Sequence, residues 1–179
     1  MPEMHRRLRK NELNRLIIEG IGDKVEQHSS EESAPLLVDL VAPLSLKLRV
    51  YLFNCTNPPG GRALDEYKIQ IILPGQKRGE RGTVDYSEGR MPILAAYASE
   101  GDSGVFLLWD ADKHEDFSYS ANMQVKADVI INALYSDVAT ITRKNGEIIL
   151  AVRPQHLYKA IKCRLEIRRK EIIGGNKNA

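Results

Sequence analysis

The sequence is short of the features that announce most activities. Only two of its 179 residues are cysteine, Cys55 and Cys163, far apart and in no CxxC spacing. That excludes a disulfide framework and a zinc-ribbon site, and places the chain in a reducing compartment, read here as the cytoplasm. No apolar run approaches the ~20 residues that span a bilayer, so no membrane partner is expected. The N-terminal MPEMHRRLRKNELNR is too polar for a secretory signal. There is no Gly-x-Ser-x-Gly elbow, no phosphate loop of the Walker type and no histidine close to a cysteine. NPPGGR (57–62) is rich in turn formers but lacks the Lys-Ser/Thr ending. Internal repeats and low-complexity tracts are missing too. No cofactor and no metal site is read from the chain.

What is present suffices for a folded core. Hydrophobic residues make up 42% and charged residues 28%, which excludes wholesale disorder and fits one domain with extensions. The net charge of +2 is unevenly spread. Residues 1–15 carry five basic side chains against two acidic ones, and residues 159–179 carry seven against two, which leaves the middle at −6. Basic strips at both ends are what a polyanion exploits through steering and counterion release, although charge runs taken alone are more often solvated helix faces.

The spacing of Leu8, Leu13, Leu16 and Ile17 predicts a basic amphipathic helix over 4–20. DKVEQHSSEES (23–33) reads as a linker or mobile loop, and PLLVDLVAP (35–43) as a short helix or strand. From residue 46 the period becomes two. LKLRVYLFN (46–54) alternates Leu46, Leu48, Val50 and Leu52 with Lys47, Arg49, Tyr51 and Phe53, and YKIQIIL (67–73), PILAAYA (92–98) and GVFLLWDA (104–111) follow as strands. Asn145-Gly146 between two β-rich runs in 137–153 predicts a tight hairpin. Helices are expected over 126–136 and, from Pro154 to the Gly174-Gly175 pair, over 154–173. Strands not regularly separated by helices argue against a parallel α/β fold. The expected class is mainly β with flanking helices, a largely antiparallel sheet curling into a small open barrel. The expected division is a helical extension and linker over 1–45 and a β domain over 46–175.

Catalytic patterns are thin. Glu66-Tyr67-Lys68 has the Glu-x-Lys spacing of a metal-dependent nuclease core, but Asp39 and Asp65 are poor second acids. Asp110, Asp112, Glu115 and Asp116 flank His114 in DADKHEDF, which lacks the glycine and terminal glutamate of a calcium loop and reads as a solvated loop. His156 stands three residues before Lys159, not two, so a phospholipase-D-type pair fails.

Binding patterns are richer. NCTNPPGGR offers Asn54, Thr56, Asn57 and Arg62; the segment 112–126 offers Lys113, His114, Ser118, Tyr119, Ser120, Asn122, Gln124 and Lys126. QKRGER adds Gln76, Lys77, Arg78 and Arg81 as a phosphate clamp. Small amides and hydroxyls with a few cations are the composition that reads groove edges and holds phosphates. Arg62, Lys113 and Lys126 are assigned to phosphates or guanines; Asn57, Asn122 and Gln124 are assigned to base edges.

The runs LRVYLFNCTNPPGGRALDEYKIQIILPGQ and VFLLWDADKHEDFSYSANMQVK resemble recognition domains of bacterial restriction endonucleases, over roughly residues 46–165. The resemblance implies the DNA-binding pseudobarrel of plant B-three transcription factors, an open seven-stranded barrel with two short helices. It implies two arms in the major groove, which fall on Asn54–Arg62 and Asp112–Lys126. The implied partners are double-stranded DNA and a nuclease domain or subunit, to which the ending GGNKNA would suit a linker. The 40 N-terminal residues and the net negative middle depart from that pattern. The expectation is therefore a sequence-specific DNA-binding module without chemistry of its own; the alternative is a metal-dependent endonuclease using Glu66 and Lys68.

Overall fold

Leu13, Ile17 and Ile21 recur every four residues, and this stripe makes Lys10–Ile21 a helix, α1, with one buried face. The Glu12 carboxylate accepts a hydrogen bond from the Arg9 N–H at 2.8 Å, and Gly22, at φ 69°, ends the helix. The computed structural model describes residues 7–56, 66–100 and 103–177. Within the stretch expected as a linker, Val25–His28 forms strand β1, paired antiparallel with β2, Leu36–Leu40. β1 is almost wholly exposed, so its backbone ladder to β2 carries it and no apolar alternation marks it in the sequence.

The remaining elements follow in chain order: β3 (Lys47–Cys55), β4 (Glu66–Ile71), β5 (Arg81–Thr83), β6 (Met91–Glu100), β7 (Ser103–Trp109), β8 (Asp116–Ser118), β9 (Ala121–Lys126), α2 (Ala127–Ala133), β10 (Ala139–Thr142), β11 (Ile148–Val152) and α3 (Leu157–Lys177). Seven strands build one mixed sheet in the order β1-β2-β3-β6-β7-β11-β10, antiparallel throughout except for β3 against β6. The chain is mainly β with flanking helices, as expected. The sheet ends at β1 and β10, and no closed barrel is formed among the described residues. β4 pairs with β9 and β5 with β8 in two small ladders outside the large sheet.

Both faces of the large sheet are covered. On one, Leu48, Val50, Ile93, Phe106 and Leu150 pack with Leu13 and Ile17 of α1 and Leu157 and Ile161 of α3. On the other, Tyr51, Leu94, Leu107 and Trp109 pack with Ile69, Ile71, Phe117 and Met123 of the small strands and Val129 of α2. This explains why β3 is buried on both sides although its sequence alternates. Even Arg49 is only 5% exposed, its guanidinium donating to the Asp85 and Ser87 carbonyls at 2.9 and 3.2 Å and to Glu88 Oε2 at 3.1 Å. A buried cation needs such complete satisfaction.

Two local expectations are adjusted. In the β10–β11 hairpin, only Gly146 takes a positive φ, 87°, and Arg143 and Glu147 close a three-residue loop by an N–H to carbonyl bond of 2.8 Å. α3 runs through Gly174 and Gly175 to Lys177; a helix glycine costs about 1 kcal/mol and does not by itself end a helix.

Candidate nucleic-acid interface

The four small strands form one interrupted antiparallel ribbon. β4 pairs with β9 from Glu66↔Lys126 to Ile71↔Ala121, and β5 pairs with β8 from Arg81↔Ser118 to Thr83↔Asp116. Residues 72–80 are looped out where the other strand has only Tyr119 and Ser120, the latter at φ 59°. Alternation decides which side chains face where. Tyr67, Ile69, Ile71, Met123 and Val125 go into the core, so Glu66, Lys68 and Gln70 stand outward opposite Lys126, Gln124 and Asn122.

The segment 112–126, expected as a DNA-contacting loop or arm, is mostly two strands. Its Phe117, Met123 and Val125 alternate with Ser118, Asn122, Gln124 and Lys126, a period-two pattern that was present in the sequence. The structure brings Ser118, Tyr119, Ser120, Asn122, Gln124 and Lys126 into one strip with Lys77, Arg78 and Arg81. Lys77 and Arg78 are exposed in the looped-out turn, which is braced by Glu80 Oε2 on the Lys77 N–H at 2.8 Å. Arg81 Nε donates to Asp116 Oδ1 at 2.8 Å in an exposed pair, an interaction weak enough to be exchanged for a phosphate. Lys68 and Gln70 join this strip. By sequence, Lys68 belongs to the Glu-x-Lys nuclease alternative, and Gln70 carries no signal of its own within YKIQIIL.

Other candidates are engaged elsewhere. The Asn54 carboxamide accepts from the Leu8 N–H at 2.8 Å and donates to the Leu8 carbonyl at 2.9 Å, clasping the start of the chain. Thr56 forms a backbone bridge with Lys68. His114 Nε2 lies 2.6 Å from Glu147 Oε2, and Lys113 is exposed beside it. Asn57 and Arg62 lie outside the described residues.

The acidic segment is solvated only in part: Glu115 and Asp116 are exposed, whereas Asp110 is 4% exposed and one of its carboxylate oxygens lies within 4.8 Å of one from Asp112 and one from Glu171. Asp112 accepts from Tyr86 Oη at 2.7 Å and from Arg168 Nε at 3.0 Å, and Arg164 approaches Asp110 at 3.8 Å. Burial and the Tyr86–Asp112 bond push the Tyr86 phenol well above its ordinary range. Arginine from α3 thus compensates this cluster. Glu66 faces Lys126 and belongs to no group of three metal-ligand residues among the described residues.

A two-stranded ribbon fits the major groove, about 12 Å wide. Outward residues two apart on a strand are about 6.8 Å apart, close to two base-pair steps of ~3.4 Å.

No described helix is long and apolar enough to cross a membrane. The sequence model of one family, described as Methylase-associated X1, matches residues 46–161. No curated protein and no solved structure matches the chain.

Proposed function

Because the chain belongs to the Methylase-associated X1 family, we propose that it is a sequence-specific double-stranded DNA-binding module of a restriction-modification system. The observation that carries this reading is the amide row on the β4–β9 ribbon, Gln70 beside Asn122 and Gln124 beside Lys68. Asn and Gln carboxamides pair in two-pronged fashion with adenine in the major groove, each such pair contributing roughly 1–3 kcal/mol of discrimination. Lys77, Arg78, Arg81 and Lys126 attract the phosphates and fix the register but carry no sequence information. The ribbon takes the role that the second arm would play in a B-three-like pseudobarrel. The recognition unit is 46–175, to which residues 7–45 add α1, β1 and β2, and the natural partner is a methylase or nuclease subunit of the same cytoplasmic system.

Selection from a random duplex library at two salt concentrations tests this, because phosphate attraction fades with salt and base reading persists. A defined duplex should be enriched. Asn122→Ala and Gln124→Ala should each weaken binding to it about tenfold, with affinity for unrelated duplex unchanged and, for Asn122→Ala, the thermal midpoint unchanged as well. Failure to enrich any sequence, or unaltered affinity in both variants, overturns the assignment.

A further inference from the structure

Beside the ribbon lies a groove of about 390 Å³ whose walls are Arg7, Phe53, Thr56, Lys68, Gln70 and Ile72. A second hollow of about 360 Å³, bounded by Lys10, Tyr51, Leu73 and Pro74, shares the Phe53 and Ile72 walls with it. Each is of the size that encloses a small organic group. We propose that this groove takes one unstacked nucleotide of the bound DNA, a reading that rests on the DNA-binding function above.

Three kinds of wall meet there. Arg7 and Lys68 supply two cations for a phosphate. Phe53 and Ile72 supply a flat apolar floor on which any base can lie. Thr56 and Gln70 supply a hydroxyl and a carboxamide that meet a base edge. A purely apolar ligand would leave the cations and the amide without use, and a free phosphate would leave the floor bare. A nucleotide uses all three.

The groove is also placed where DNA on the ribbon must pass. Lys68 and Gln70 line it and at the same time stand on the ribbon opposite Gln124 and Asn122. Among the described residues, no side chain binds the Lys68 ammonium or the Gln70 carboxamide. The walls are built in advance. The Asn54 clasp on Leu8 holds the chain so that Arg7 sits at the rim. Lys10 is a fixed wall and not a free cation: its Nζ donates to the Leu52 carbonyl at 2.8 Å, lies 6.0 Å from the Phe53 ring centre, and has its pKa lowered by burial. Placing a base there requires it to leave the stack, which costs least where it is already unpaired.

The test compares a labelled duplex with the same duplex carrying one unpaired central nucleotide, by fluorescence anisotropy, on the full chain. The bulged duplex should bind about tenfold tighter, within the range that stacking on an aromatic ring contributes. Phe53→Leu, which keeps most of the packing volume, should abolish that preference and leave affinity for the paired duplex as it was. Equal affinity for the two duplexes, or a preference that survives Phe53→Leu, overturns the nucleotide site while the ribbon reading stands. Binding to neither duplex overturns both.

Discussion

Gly104 shows how little room some positions leave. It sits opposite Ser99 in the β6–β7 ladder, and a Cβ added there would lie 1.9 Å from the Tyr97 hydroxyl. The Tyr97 ring is 8% exposed and tilts onto Phe106, with centroids 5.0 Å apart and planes at 56°. It reaches along β7 across the gap that the glycine leaves, so neither the ring nor the backbone can yield without disturbing the core behind α1 and α3. Gly104→Ala should therefore lower stability by about 1–3 kcal/mol, as overpacking of a filled core does. Urea unfolding gives the measurement, and an unchanged midpoint would show that the ring moves aside freely.

At the scale of elements, the start of α1 hangs on one side chain. Asn54 projects from β3 and makes both its hydrogen bonds to the backbone of Leu8, 46 residues earlier in the chain. Asn54→Ala should lower stability by about 1–2 kcal/mol for two lost hydrogen bonds and speed hydrogen–deuterium exchange over residues 8–13. Affinity for paired duplex should stay the same, because the residue holds α1 and does not stand on the ribbon; a loss of that affinity without faster exchange would reverse the assignment. By sequence, Asn54 is a polar residue ahead of a turn-rich run and is expected on DNA, and a partner 46 positions away leaves no local trace. The same limit explains the short strands β5 and β8, whose ladder joins distant segments, while β1 pairs with the very next strand but is polar and exposed. By contrast β3, β4, β6, β7, the β10–β11 hairpin and the helix faces were legible, since apolar period is a local property. β9 was legible in principle: Met123 and Val125 alternate with the amides, and richness in polar groups hid the alternation.

Across the whole molecule, two carboxylates tie separate elements together and set its behaviour in acid. Asp39 of β2 accepts from Gln27 of β1 at 2.6 Å and from Arg90 ahead of β6 at 2.8 Å, and these partners hold its carboxyl below the ordinary range despite burial. Glu147, fully buried at the start of β11, is pushed upward by burial. The His114 bond at 2.6 Å, the Asp110 N–H at 3.2 Å and Arg143 outweigh this and leave it lowered. A folded-state pKa below the unfolded one stabilises at any pH above the unfolded value, and that contribution disappears as pH falls through the folded value. Ordinary Asp and Glu titrate near 4, so the urea midpoint should be flat from pH 7 to about 5 and fall below about 4 as the two groups take up protons. Asp39→Asn should lower stability at pH 7 and make the acid decline shallower, because the uncharged amide keeps no such dependence. Curves for the variant and the parent that stay parallel from pH 7 to pH 3 would mean that Asp39 contributes nothing to it, and that the decline comes from general charge repulsion as the basic ends of the chain lose their acidic balance.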